Sequence, residues 1–280
     1  GENGFDYSTM NWAKLTNRGY ELSLSTVNVK TKDFRWVMDF NLAHNKSKIN
    51  RLNVRDNSYE PSREGYSVGA VFSLKTAGLD ENGLQMFYNK QGEKVSFNDF
   101  FGLEYGYMMG GLIPFLKSNL SAEEYRNLFT YEGTTEPKFT GGWINRFYYK
   151  NFDLTVSASF VLDQTVQEQP FYNPVQTSPG QNYSRRMSQI WSPDNTSGKY
   201  PRIMGTYTEG EENWAYQWLG MLDPGNSYRK YDYWFKKMSY MRINSIRLGY
   251  TFPERLLGHI GFSSAPVSYT HLTLPTSDLV

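Results

Sequence analysis

Read in alternate positions, residues 239–252, Ser-Tyr-Met-Arg-Ile-Asn-Ser-Ile-Arg-Leu-Gly-Tyr-Thr-Phe, divide into two unlike sets. Ile246, Leu248, Tyr250 and Phe252 are apolar, whereas Ser245, Arg247, Gly249 and Thr251 are polar or small. A period of two belongs to a β-strand with one face in water and one out of it. Pro253 has no N–H to give to a ladder and marks the end. The stretch is longer than most strands of soluble proteins. It suits the roughly nine to eleven residues that cross a bilayer as a tilted strand. No run of some eighteen apolar residues occurs, so a membrane-spanning helix is excluded.

The same alternation recurs. Tyr20, Leu22 and Leu24 alternate with Glu21, Ser23 and Ser25, and a polar stretch, Asn28–Asp33, then turns the chain. Trp36, Met38, Phe40 and Leu42 follow on the far side, so 18–43 predicts a hairpin with one continuous apolar face. Trp143, Phe147 and Tyr149 mark another strand, Lys150-Asn151 a tight turn, and Leu154, Val156, Ala158, Phe160 and Leu162 the cleanest strand of all. A further strand is expected from Ile260. The links at 29–33, 150–151 and 253–259 are short, while those at 45–138 and 163–238 are very long. If strands run up and down, every short link lies at one end and every long one at the other. Outer-membrane barrels have this asymmetry, and structureless loops of such length are awkward inside a compact soluble domain. The expected fold is all-β: a partial transmembrane antiparallel β-barrel with long extracellular loops. Leu22, Leu24, Phe40, Leu42, Leu154, Val156, Phe160, Ile246, Leu248, Tyr250 and Phe252 should face outer-membrane lipid, and their alternates the lumen.

Composition narrows the chemistry. With 29 Lys plus Arg against 28 Asp plus Glu, the 280-residue chain offers nucleic acid no bulk attraction. Its mean hydropathy of −0.62 would suit a soluble domain, but a barrel also has polar loops and lumen. The 22 tyrosines are an unusual load for an ordinary soluble domain. Cysteine is absent, which removes disulfides, thiolate metal sites and a Cys nucleophile. His44, His259 and His271 are scattered, and His44 is expected at a strand end without a partner. No leader segment opens the sequence at Gly1, so any signal peptide would lie upstream.

Catalysis finds little material. Glu123 and Glu124 are neighbours on a predicted short helix, 121–129, where Ser121 and Glu124 have capping-box spacing. Asp80-Glu81-Asn82-Gly83 and Asp194-Asn195 could hint at loop Ca²⁺, but neither continues with EF-hand spacing, and turn chemistry is the better reading. No cofactor is expected. Arg35, Asp39, Asp153 and Arg247 read as a polar wall without a specific ligand. The aromatic residues of the long connections remain as candidate substrate or partner contacts: Trp191, Tyr200, Trp214, Tyr216 and Trp218. Their rings can stack on sugars or fill interface pockets, or simply pack the loops together.

Leu15–Ser25, Lys32–Trp36 and Asn45–Ile49 resemble the SusC/RagA family of TonB-linked outer-membrane transporters. So do Glu64–Phe72, Ala77–Asp80, Gln91-Gly92, Glu136–Trp143, Ile190–Asn195, Tyr200–Arg202 and Ser239–Pro253, in this order over residues 15–262. The resemblance implies a large plugged barrel in a Gram-negative outer membrane that imports a bulky oligosaccharide or peptide. It further implies energy from TonB–ExbB–ExbD and a SusD-like surface lipoprotein over the outer mouth. Residues 1–265 would then be part of the barrel wall, with plug and TonB box elsewhere. Residues 266–280 depart from the family pattern and look like translated adapter read-through. The alternative is a soluble all-β glycan-binding module, whose apolar faces would be covered by a second sheet. Sequencing of the gene on both sides should find a plug and TonB box upstream and more alternating strands downstream. A start codon just before Gly1 and a stop after Val280 would sink the transporter reading.

Overall fold

The computed structural model describes residues 13–52, 63–108, 113–174, 180–203, 227–253 and 265–271. The chain starts with two long strands, β1 (Ala13–Lys30) and β2 (Phe34–Leu52). Short elements follow: β3 (Ala70–Ser73), β4 (Thr76–Leu79), β5 (Gln85–Tyr88), β6 (Lys94–Val95), α1 (Phe97–Phe100), β7 (Leu103–Met108), β8 (Ile113–Ser118), α2 (Ala122–Arg126) and β9 (Thr130–Thr134). Long strands then return as β10 (Phe139–Tyr149), β11 (Phe152–Gln167) and β12 (Phe235–Phe252), with a shorter β13 (Ala265–His271).

Six of these form one sheet in the order β1-β2-β10-β11-β12-β13. β2 pairs with β10, β10 with β11 and β12 with β13, each antiparallel. Trp143 of β10 lies opposite Phe40 on one side and Ala158 on the other, and Phe147 lies opposite Trp36 and Leu154. The alternation seen in sequence is therefore in step from strand to strand, and the apolar rows merge into one face. Asn145 breaks the row, opposite Met38 and Val156. Trp36 Nε1 donates to its Oδ1 at 3.0 Å, which answers part of the polar group's demand within that face. Gly141 is required by a close approach: Phe160 reaches across it to stack on Phe40 at 6.2 Å, and a Cβ there would meet the Phe160 ring and the Asn41 carbonyl.

Aromatic rings gather at both ends of the apolar face. At the end of the short turns Trp36 stacks on Phe147 at 5.7 Å, and Phe152 packs tilted against Tyr250 at 4.6 Å. At the other end His44 lies between Tyr20 at 5.0 Å and Phe139 at 5.1 Å, and its Nδ1 is 2.5 Å from the Lys138 carbonyl oxygen. His44 thus sits inside β2 with partners, not alone at a strand end. From Trp36 to His44 the strand rises roughly 26 Å, or roughly 20 Å once tilted, close to the apolar band of a membrane barrel. Leu22, Leu24 and Leu248 remain 51%, 45% and 51% exposed, so among the described residues no second sheet covers them as a sandwich would require.

The strands extend past the alternating stretches. β2 continues through Lys46 and Lys48 to Leu52, and β12 begins at Phe235 rather than near 239. Backbone pairing needs only N–H and C=O groups, whereas alternation is imposed only where one face is apolar. The two-residue turn at Lys150-Asn151 is as expected, with Lys150 in the left-handed region at φ 51°. The link at 254–259 and the start of a strand at Ile260 fall outside the described residues. β13 starts at Ala265 and pairs with β12 through residues set apart in sequence as a foreign tail. A free sheet edge accepts any strand that offers backbone partners, whatever its side chains.

Residues 48–134 and 165–236 contribute to a separate compact unit with a core of its own. The long connections are accordingly not structureless. Phe87 is fully buried against Phe100 at 4.4 Å, Phe101 at 5.4 Å and Tyr231 at 5.3 Å. The fully buried Trp234 stacks on Tyr200 at 5.5 Å, and its Nε1 donates to the Tyr228 carbonyl at 3.0 Å. Leu74 joins the two aromatic nests to the later segment by a parallel bridge to Tyr231. The sequence-predicted helix is present as α2, with the full Ser121–Glu124 capping box. Replacing Phe87 by Ala should cost about 3–5 kcal/mol. Limited proteolysis checks this: segments 63–108 and 113–134 should become cleavable at denaturant concentrations the parent resists.

Candidate functional site

The polar face of the sheet is a row of charges paired across strands. Asp39 of β2 accepts from Ser25 Oγ of β1 at 2.8 Å and binds Arg146 of β10. Asp153 of β11 meets Arg247 of β12 at 2.7 Å, and the hydroxyls of Ser157 and Ser245 lie 2.9 Å apart. Sequence reading placed Asp39, Asp153 and Arg247 on this face but missed Arg146, because its meeting with Asp39 depends on strand register. These groups answer one another across the strands, and the face carries alternating charge. Among the described residues no group of three or more acidic or His side chains could hold a metal. Asp80 Oδ1 instead accepts from the backbone N–H groups of Asn82 and Leu84, closing the turn at 80–84.

In the loop unit Glu168 is the most constrained charge. It binds Arg186, and Lys236 Nζ lies 2.6 Å from its Oε2. Burial alone would raise its carboxyl pKa, but the hydrogen bonds from Lys236 and Arg186 outweigh it and hold the group below its ordinary value of 4.5. Arg186 in turn lies over the Phe171 ring at 4.6 Å and donates through Nη2 to the Tyr200 hydroxyl at 2.8 Å.

Tyr200 is therefore committed to internal packing: Trp234, Phe171 and Tyr233 surround its ring, and Arg186 occupies its hydroxyl. Trp191 is half-buried over Gly83, whose φ of +77° and contact with the indole leave no room for a side chain. Trp214, Tyr216 and Trp218 lie outside the described residues, so the five aromatic candidates are not seen brought together. A cleft of about 280 Å³ was not foreseen from sequence. The Tyr88–Gln91 turn, Asp99, Phe100, Asn127 and Thr130 line it. The clue available in sequence was the Asn89–Glu93 turn, where Asn89 Oδ1 accepts from the Gln91 and Glu93 backbone.

No protein-family model matches the chain. It is similar to TonB-dependent receptor P3 of Formosa agariphila, 26% identical over 279 residues, covering 93% of this chain and 24% of that protein. Among solved structures, it superposes on the RagAB peptide transporter with a TM-score of 0.63 at 18% identity, covering 98% of this chain and 28% of that one. The RagAB peptide importer in its closed-closed state gives the same TM-score and identity over 96% of this chain and 26% of that one. The chain spans about a quarter of the length of these relatives. The likeness read from the sequence, the antiparallel all-β wall and the Gram-negative outer membrane as compartment are borne out. The relatives are receptors and transporters, not enzymes.

The charge cluster has a pH signature. Because the folded pKa of Glu168 is depressed, its stabilisation is full above the ordinary value of 4.5 and is lost as pH falls through the folded value. Protease resistance of segments 165–174, 180–203 and 227–236 should drop on acidification below that point. Glu168→Gln should be weaker than the parent at neutral pH and change less across the same range.

Proposed function

We propose that this chain is part of the barrel wall of a TonB-dependent outer-membrane importer of the SusC kind. The observation that carries the reading is the single sheet with one continuous apolar face, exposed and banded by aromatics, and one face of paired charges. Likeness to TonB-dependent receptors along nearly the whole chain supports it. Leu22, Leu24, Phe40, Leu42, Leu154, Val156, Phe160, Ile246, Leu248, Tyr250 and Phe252 face lipid, and Asp39, Arg146, Asp153 and Arg247 face the lumen. Residues 1–265 belong to this wall and its loops, and 266–280 are a non-native tail whose first residues occupy the free edge of β12.

The importer captures an oligosaccharide or peptide at its outer mouth, under a SusD-like surface lipoprotein, and a plug moves on energy passed from TonB–ExbB–ExbD. It makes and breaks no bond and uses no cofactor. Trp191, Tyr200, Trp214, Tyr216 and Trp218 serve capture, Tyr200 by shaping the loop unit through its packing.

Two measurements test this. Val156→Arg, near the middle of the apolar face, should cost about 2–4 kcal/mol of barrel stability, whereas Ser157→Arg on the other face should cost far less. Heat-modifiable gel mobility of the full-length gene product reads this out, and equal effects of the two changes would remove the lipid–lumen assignment. Uptake of labelled oligosaccharides and peptides should vanish both on deletion of the gene and on loss of TonB. Uptake that survives loss of TonB would overturn the importer reading.

A further inference from the structure

Beyond the Tyr20–His44–Phe139 aromatic band, the apolar face changes character. Alternation carries the row Leu24, Leu22, Tyr20 on to Arg18, and the row Phe40, Leu42, His44 on to Lys46. The pairing of β1 with β2 is read from their side chains. Ser25 donates to Asp39, the Tyr20 and His44 rings lie 5.0 Å apart, and a Cβ on Gly19 would strike Asn45 and the His44 carbonyl. That register sets Arg18 directly opposite Lys46. Both are exposed, and neither forms an ion pair with a described residue. Like charges facing each other across a strand pair repel, so the wall holds an uncompensated double cation at this point. Lys138 adds a third: its Nζ lies 5.9 Å over the Phe139 ring, which itself packs against His44.

The depth of these groups selects their ligand. Rings with polar handles mark the level where hydrocarbon gives way to headgroups. Cations just beyond that level meet the headgroups of the surrounding lipid and not a solute in the lumen. By the alternation of the strands, this is also the end from which both long connections leave, the outer end of the proposed wall. We propose that Arg18, Lys46 and Lys138 form a binding site for the phosphate groups of an outer-leaflet lipid of the lipid A class. Arg18 supplies a planar fork for a phosphate, and the two ammonium groups supply point charges beside it. Bound phosphate removes the Arg18–Lys46 repulsion and fixes a lipid against the outer surface of β1 and β2. The inference rests on the barrel-wall reading but can fail independently of it.

The test uses the full-length gene product, extracted in detergent, with purified lipid A as probe and native mass spectrometry as readout. The double variant Arg18→Gln/Lys46→Gln should retain lipid A about tenfold less well than the parent. Lys30→Gln/Lys32→Gln, at the short-turn end, should retain it as the parent does. Removing the phosphates from lipid A should abolish the difference between the parent and the Arg18/Lys46 variant. Equal retention by that variant and the parent, both with intact heat-modifiable mobility, would overturn the headgroup site alone. Retention that ignores dephosphorylation would do the same, as would inorganic phosphate binding as tightly as lipid A, which would make the site a general anion site. A parent protein that lacks heat-modifiable mobility would overturn the wall reading, and the lipid site with it.

Discussion

Every peptide group brings a donor and an acceptor, and in hydrocarbon no water is present to satisfy them. The long strands answer this demand. β10 is paired with β11 along its whole length and with β2 from Thr140 to Tyr149, and the register holds without a break. Once the ladder is fixed, side chains are free to answer to whatever lies on each face. Leu22, Leu24, Phe40 and Phe160 gather on one side, and the Asp39–Arg146 and Asp153–Arg247 pairs on the other. Asn145 shows the rule at its limit. A polar group on the apolar face is tolerated where Trp36 can donate to it.

The loop unit meets the same backbone demand by other means. Its strands are two to six residues long and cannot satisfy many groups by ladders. Side chains close the accounts instead: Asp80 and Asn89 cap their own turns, Ser96 and Ser121 cap α1 and α2, and Arg63 donates to the Arg126 carbonyl at the end of α2 and to the Phe129 carbonyl just past it. Such caps leave little area for ordinary β-packing, and the aromatic nests around Phe87 and Trp234 supply the cohesion. The heavy use of tyrosine has a physical reason here. The Tyr200 and Tyr172 rings pack as core while their hydroxyls meet Arg186 and the Pro201 carbonyl, so each replaces an apolar residue and a separate hydrogen-bonding one.

What the sequence disclosed follows from this division. The wall was legible because a period of two survives without knowledge of any partner. Residues 154–162 and 245–252 announce a face by themselves, and Lys150-Asn151 announces its own turn. The Ser121–Glu124 box was legible for the same reason, being local. Arg146 was not, because its partner Asp39 is 107 positions away and only the register joins them. The loop core was hidden for a related cause. Phe87, Phe100, Tyr231 and Trp234 follow no period, and their meeting is set by three-dimensional closure. Tyr200 stood out as an aromatic in a polar stretch, yet the sequence could not say that its ring and hydroxyl were both already occupied.

That closure has a consequence for the order of folding. Thr76 donates to Asp232 at 2.6 Å, and Leu74 bridges Tyr231, so the first nest is sealed by a segment 156 positions further on. The β10–β11 hairpin lies between them in the chain and closes locally through a two-residue turn. Contacts of short range form before those that must close a long loop. The hairpin thus precedes the nest, and its formation shortens the effective loop that Leu74 and Tyr231 must span. The loop unit is then a late product of assembly, completed only when the segment just ahead of β12 brings Tyr231 and Trp234 together.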